Sequence, residues 1–243
     1  MEVSCISNTI ENRTLKKKMK KGKIVFAGIT FIISFCLALM VTNSFFGNKI
    51  FSKKDQKIDG LEKIQDGDMI FQTSQSSQCE AVRIATNSKF SHCGIVFNFN
   101  GELMVYEAVQ PVRLTPLEQW ITNGKDNAFV VKRLKNAKEI ITPTMLKRMK
   151  EYGKTFHNKE YDLYFEWSDD KLYCSELVWK IYKKAAGIEL CQLQKLSDFN
   201  LKNKIVKDIL KMRYGNAIPL NEKVVAPSDI VKSEILETII DTY

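Results

Sequence analysis

The residues Tyr173 to Ala186, YCSELVWKIYKKAA, place one cysteine at the start of a helical pattern. Cys174, Val178, Ile181 and Ala185 fall at i, i+4, i+7 and i+11, a single apolar face, so the thiol points at the core. A thiol in the first turn of a helix feels the positive end of the helix dipole, which lowers its pKa and favours the nucleophilic thiolate. Asp169 and Asp170, just ahead, are candidate caps for that helix. Free cysteine is also a common inert packing residue, so position alone leaves packing and catalysis both open. The choice turns on a base, because a cysteine nucleophile needs an adjacent imidazole. The chain has only two histidines, His92 and His157. His157 sits among polar, loop-like residues in KTFHNKEYD and is expected to be exposed. His92 lies in an apolar run, where an unpaired ring would be costly to bury.

The elements that must bring these groups together start with KFSHCGIVFNFNGELMVYEAV, two apolar-rich runs joined by Asn100-Gly101. That dipeptide suits a two-residue hairpin turn, in which both positions take positive φ. In such a hairpin Phe99 faces Glu102, Gly94 faces Glu107 and His92 faces Val109, which puts His92, Gly94, Glu107 and Val109 on one sheet face. Glu107 is then diagonal to His92, about 7–8 Å away between backbones and within reach of long side chains. Gly94 leaves space for the two to meet. Glu107 interrupts the apolar alternation Leu103, Val105, Val109, and a carboxylate in that setting needs a partner. It is either the group that orients His92 in a Cys-His-Glu set or a solvated residue on a one-sided hairpin. Cys93 points to the other side of the strand and reads as packing.

Around this hairpin the reading is α+β. Asp66-Gly67 is a turn before a short buried strand at Met69–Phe71, and Ser77 with Glu80 has the spacing of a capping box opening a helix. AFVVKRL is a further strand. Thr142-Pro143 reads as a cap with proline at the first helical position, for a helix through about Tyr152. A charged, helix-prone segment runs from about Lys195 to Met212, and APSDIVKSEIL starts a last helix.

Composition bounds the alternatives. The net charge is +9, but residues 1–54 carry ten Lys/Arg against Glu2 and Glu11, a net +8, which leaves +1 for the remainder. A nearly neutral body without a basic stripe argues against nucleic acid as a partner. The lysine-rich LKKKMKKGK precedes Ile24–Val41, 18 residues without a charge. That length is the minimum for a membrane span and exceeds a signal-peptide core. The positive cluster belongs on the cytoplasmic side, sending the following domain outward. The organisation expected is therefore a basic cytoplasmic segment over 1–23, a transmembrane signal-anchor or signal peptide over 24–45, a linker over 46–60 and a catalytic domain over 61–243. The six cysteines show no paired spacing and no C-x-x-C, so neither a structural zinc site nor a disulfide framework is expected. No metal and no cofactor is expected.

The ordered motifs GDMIFQ, FSHCGIVF, VYEAV, TPLEQWI, YD and YCSELVW resemble the YiiX/YaeF-like family of permuted papain-fold amidases, a branch of the NlpC-type cysteine peptidase superfamily. The resemblance spans about residues 60–232. It implies a circularly permuted papain-like fold, an antiparallel sheet packed against helices, in which histidine precedes cysteine. The chain independently demands that order, since no histidine follows Cys174. By this resemblance Cys174 is the nucleophile, His92 the base and Glu107 the orienting acid, and Tyr161 is a substrate or oxyanion contact or else a packed aromatic. The implied activity is a cysteine-dependent hydrolase of the cell envelope, cleaving an amide of a small molecule, peptide or lipid through an acyl-enzyme. A lipid thioester acyltransferase, like permuted relatives similar to lecithin:retinol acyltransferase, and a non-catalytic envelope binding module are the alternatives. The membrane assignment makes one direct prediction. A reporter active only outside the cytoplasm, fused after residue 60, is expected to be active, and activity only of a cytoplasm-dependent reporter would reverse the orientation.

Overall fold

Asn100 and Gly101 take φ values of 55° and 94°, and the hairpin they close has the predicted register. Strand β2 (His92–Phe99) pairs antiparallel with β3 (Glu102–Glu107), with Phe99 opposite Glu102, Val96 opposite Val105 and Ile95 opposite Tyr106. The computed structural model describes residues 60–243; the segments expected to be cytoplasmic, membrane-spanning and linking lie outside the described residues. Among the described residues no helix is long and apolar enough to cross a membrane.

The hairpin is the middle of a six-stranded sheet in the order β4-β3-β2-β1-β5-β8, antiparallel throughout. The other strands are β1 (Met69–Gln72), β4 (Arg113–Pro116), β5 (Phe129–Leu134) and β8 (Leu236–Asp241). A two-stranded ribbon of β6 (Gln194–Lys195) and β7 (Lys223–Val224) stands apart. The helices are α1 (Ser77–Thr86), α2 (Leu117–Thr122), the single turn α3 (Ala137–Ile140), α4 (Pro143–Lys154), α5 (Cys174–Ile181), α6 (Lys204–Tyr214) and the short α7 (Pro227–Val231).

Both faces of the sheet are covered, which is why β2 is buried from His92 to Phe97 instead of alternating. One face presents Met69, Phe71, Cys93, Ile95, Phe97 and Tyr106, which form a single core with Leu177, Val178 and Ile181 of α5. The opposite face carries Ile70, His92, Gly94, Val105 and Glu107 and is covered by α2, whose Leu117, Trp120 and Ile121 are buried. Helix α5 is buried at every position and passes at Tyr182 into a π turn ending on left-handed Gly187. The four residues predicted on its inner face all lie in the core.

Several local expectations shift. The cap of α1 is Ser76, whose hydroxyl accepts from the Cys79 amide at 3.2 Å, one residue before the expected Ser77. Asp169 does not cap α5 but pairs with Lys180 at 2.7 Å, and the cap position is Tyr173, whose amide donates to Glu176 Oε2 at 3.3 Å. The segment from Lys195 begins with β6 and a 3-10 turn before α6. The expected last helix is only α7, and the chain then adds β8 at the edge of the sheet. That strand brings the end of the described chain back to its beginning, with the Ile240 side chain 3.7 Å from where a Cβ on Gly60 would sit. Thr142 caps α4 as predicted, accepting from the Met145 amide at 3.2 Å ahead of Pro143.

Gly94 is the tightest point of the hairpin. A Cβ there would stand 2.4 Å from Val105 Cγ1 and 2.8 Å from the Tyr106 carbonyl oxygen, so β2 and β3 approach this closely only because the side chain is absent. Gly94→Ala is expected to lose about 1–3 kcal/mol of folding stability, seen as a lower urea midpoint at unchanged slope. A midpoint equal to that of the parent would show that the strands separate freely there.

Candidate active site

The Glu107 carboxylate is 3% exposed and is surrounded by donors. His92 Nε2 lies 2.5 Å from Oε2, Trp120 Nε1 donates to the same oxygen at 2.8 Å, and Thr115 Oγ1 donates to Oε1 at 2.5 Å. Thr115 reaches Glu107 diagonally from β4, and Trp120 from α2. The Trp120 indole also stacks on the imidazole, with centroids 5.7 Å apart and planes 25° from parallel. Trp120 therefore fixes both members of the pair. Burial works to raise the Glu107 pKa, but the His92 contact and the hydroxyl and indole donors outweigh it and hold the carboxyl below its ordinary range. Because Nε2 is committed to the carboxylate, Nδ1 is the ring nitrogen left for other chemistry.

Cys174 opens α5 and is 4% exposed. The route by which it meets His92 differs from the expectation. Helix α5 packs on the Cys93 face of the sheet, opposite to the face that carries Glu107. His92 is the first residue of β2, so its ring stands at the end of the sheet, where a side chain rooted on one face can address an element on the other. The alternation that sends Cys93 away from His92 also turns its thiol toward α5, so Cys93 is a neighbour of the Cys174 sulfur and not only a packing residue.

The electrostatics of the two cysteines diverge accordingly. Interaction with Cys93 is the largest influence on Cys174; burial opposes it, and hydrogen bonding and positive charge from His92 add to it, so the thiol is held well below its ordinary range. Cys93, buried and next to that negative charge, is pushed well above its range and stays a neutral S–H donor. For His92, burial would lower the pKa, but the Cys174 and Glu107 partners raise it to about 10. With the lowered Glu107, these directions favour the charged forms of Cys174, His92 and Glu107 together in one buried cluster.

The start of α5 is held on two further sides. Ser175 Oγ donates to the Val225 carbonyl at 2.8 Å, and the Val225 amide donates to Tyr173 Oη at 3.2 Å. Tyr161 is set by a parallel bridge to Leu172, two residues before the cysteine, and its amide donates to Gln110 Oε1 at 2.7 Å. Its hydroxyl accepts from Gln78 Nε2 at 3.1 Å, which leaves its own proton free to donate. Burial, followed by the negative charge of Cys174, pushes the Tyr161 phenol well up, so it stays protonated. His157 is exposed and takes no part in this cluster.

Thr115, Trp120 and Cys93 carry signals that composition alone did not resolve. The indole of a buried tryptophan requires an acceptor, and Glu107 is the buried acceptor nearest in the sheet. Both donors stand in the TPLEQWI motif, to which no site role was attached.

Cys174 also lines a cleft, partly open to solvent, whose wall is mostly apolar and includes Ala81, Leu196, Val206 and Leu210. These four form a second small core between α1 and α6.

Residues 63–240 match the family model described as permuted papain-like amidase enzyme, YaeF/YiiX. The chain is 41% identical over 175 residues to the uncharacterized protein YiiX of Escherichia coli strain K12, covering 72% of this chain and 85% of that one. It superposes with a TM-score of 0.71 on a crystal structure from Escherichia coli O157:H7 titled metalloprotein yiiX, at 41% identity, over 74% of this chain and 99% of the other. Among the described residues no three His, Cys, Asp or Glu side chains gather in a way that would hold a metal ion. The mixed architecture, an antiparallel sheet with helices on both faces and histidine ahead of cysteine, agrees with that family, and the chain belongs to the permuted papain-like amidases of the YaeF/YiiX type.

Proposed function

We propose that the protein is a cysteine-dependent amide hydrolase that works through Cys174, His92 and Glu107. The observation that carries this reading is the buried Glu107–His92 pair at 2.5 Å, beside a thiol held low at the start of a helix. The Cys174 thiolate attacks the amide carbonyl, forming a C–S bond as the C=O electron pair moves to oxygen. The Cys174 backbone N–H, at a helix start where amides have no intrahelical partner, and the Tyr161 O–H are the donors for that oxyanion. Collapse breaks the C–N bond, and the His92 Nδ1 proton passes to the leaving amine. Water then gives its proton back to His92 and attacks the thioester, releasing the acid and restoring the thiolate. Glu107 keeps the ring oriented and stabilises its charged form without itself transferring a proton.

The cleft favours an acyl portion that is apolar, which supports N-acylated substrates over polar peptides. The same observation supports a second reading, transfer of the acyl group from Cys174 to a lipid acceptor in place of water. The two differ only in the second step. The lysine cluster and uncharged run over residues 16–41 support action outside the cytoplasm, at the membrane.

Three measurements bear on this reading. Intact mass after incubation with envelope extract is expected to show an acyl adduct that Cys174→Ala abolishes. Absence of any adduct, with Cys174 unreactive in folded protein, would favour a non-catalytic binding module. Adduct decay accelerated by added lipid, with the acyl group recovered on that lipid, would favour transfer.

The pH dependence has a definite sign. Because the Cys174 pKa is lowered, alkylation by iodoacetamide should already be fast at mildly acidic pH and should select Cys174 over Cys79, Cys93 and Cys191. Because the His92 pKa is raised to about 10, turnover should hold across neutral pH and fall as pH rises through that value, where the leaving group loses its proton donor. Alkylation should not fall there, since the thiolate persists. His92→Ala is expected to reduce turnover roughly 10²–10⁴-fold, Glu107→Gln by less, and His157→Ala not at all. Damage from His157→Ala with His92→Ala silent would identify a different base.

Trp120→Phe keeps the ring stack but removes one donor to Glu107. Hydrogen bonds to charged groups are worth about 1.5–3 kcal/mol, so the variant should lose stability of that order and, with one fewer donor competing for the carboxylate, shift the alkaline limb of the turnover profile upward. An unmoved limb would mean that Trp120 only fills space.

A further inference from the structure

The wall of the Cys174 cleft contains one formally charged side chain, Arg213, at the end of α6. Its Nη2 donates to Gln78 Oε1 at 2.9 Å, and the guanidinium carbon lies 5.3 Å above the centre of the Phe165 ring. Among the described residues no carboxylate stands within ion-pairing distance of it. The acid in its neighbourhood, Asp162, already accepts the amides of Tyr164 at 2.7 Å and Glu166 at 2.6 Å. A half-buried guanidinium with five N–H donors, one of them bonded to Gln78, is thus fixed in an apolar wall without a carboxylate partner among the described residues. Partial burial weakens its solvation, so an anion entering the cleft would find a strong and accessible partner there.

The hydrogen bonds give the placement a direction. Arg213 orients Gln78 by its oxygen, and the Gln78 amide then turns its Nε2 to Tyr161, the donor proposed for the oxyanion at Cys174. Tyr161 and Arg213 are therefore joined through Gln78, and all three line the cleft with Cys174. We infer that Arg213 is a specificity-determining residue that binds a carboxylate on the substrate, so that the amide cleaved is one whose amine portion is an acidic amino acid derivative or an α-amino acid. A planar guanidinium fork matches a planar carboxylate through two parallel N–H···O bonds, and stacking on Phe165 holds the fork while leaving its edge open. The acyl portion lies against Ala81, Leu196, Val206 and Leu210. This inference rests on the hydrolase reading for the identity of the bond cleaved, but not for the binding of the anion.

The test uses the full chain in lipid nanodiscs, with empty nanodiscs as the blank. Binding of N-octanoylglycine, its methyl ester and octyl phosphate is measured calorimetrically to Cys174→Ala, alone and combined with Arg213→Gln or Arg213→Lys. N-octanoylglycine should lose about tenfold or more in affinity on Arg213→Gln, while the methyl ester moves less than about twofold. Arg213→Lys should recover part of the loss, as a point charge without the fork. Melting curves establish that the variants are folded, and if Arg213→Gln is not, the Arg213→Lys comparison of acid with ester carries the test. Equal losses for acid and ester would overturn the inference and make Arg213 a tie between α6 and α1. Octyl phosphate binding more tightly than the acid, with the larger dependence on Arg213, would overturn the assignment of a carboxylate. Carboxylate-dependent binding without turnover by the parent protein would defeat the hydrolase reading and leave this inference standing, whereas turnover indifferent to Arg213 would do the reverse.

Discussion

A carboxylate that is almost wholly removed from water sets the terms for this structure. Glu107 makes three short hydrogen bonds, to a strand histidine, a strand threonine and a helix tryptophan, and each partner comes from a different element. Losing any one of them leaves part of the charge unsolvated in a medium where that is expensive. The positions of β2, β4 and α2 are therefore tied to one another through a single side chain, which together with Cys174 favours the protonated form of His92. The imidazolium in turn adds to the Cys93 contact in lowering the thiol of Cys174, so a constraint rooted on one face of the sheet is felt at the first residue of a helix on the other.

That crossing from one face to the other is possible because the cluster lies at the beginning of β2. In the middle of a strand the backbone and its neighbours separate the two faces completely, as Cys93 and Gly94 show. At His92 the neighbouring β1 is also ending, since His92 stands opposite Gln72, its last residue. The helix that carries Cys174 is anchored independently, by Glu176 on the Tyr173 amide and by Ser175 and Tyr173 on Val225. Histidine and cysteine are thus presented by two separately braced elements, and neither depends on the other for its place.

What could be read from the residues alone was whatever rests on short-range rules. Asn100-Gly101 dictates a turn, the turn dictates the pairing of Gly94 with Glu107, and the period of two then puts His92 and Glu107 on one face. The inward face of α5 followed equally from the period of a helix. Which sheet face α5 would cover did not follow, because β2 is apolar on both sides and its alternation carries no preference. Ser76 and Ser77 are adjacent and chemically equal as caps, so the choice between them waits on the path of the loop. β8 was hidden for a related reason: as an edge strand with only Leu236 buried it has little apolar alternation to display, and it follows directly on a segment with helical spacing. The roles proposed for Cys174, His92 and Glu107 as a set rest on the family resemblance together with the hairpin; the contacts of Trp120 and Thr115 with Glu107 needed the tertiary structure.

The return of β8 to the neighbourhood of Gly60 bears on how this fold can be rearranged in evolution and in the laboratory. With Ile240 lying beside Gly60, a few added residues would splice the two ends of the described segment without stretching any strand. New termini could then be opened at an exposed turn such as Asn100-Gly101, and every antiparallel pairing and every bond to Glu107 would survive, since none depends on the direction in which the ribosome lays the chain down. The order in which histidine and cysteine are translated is accordingly a matter of where the loop is cut, while the site itself belongs to the contacts.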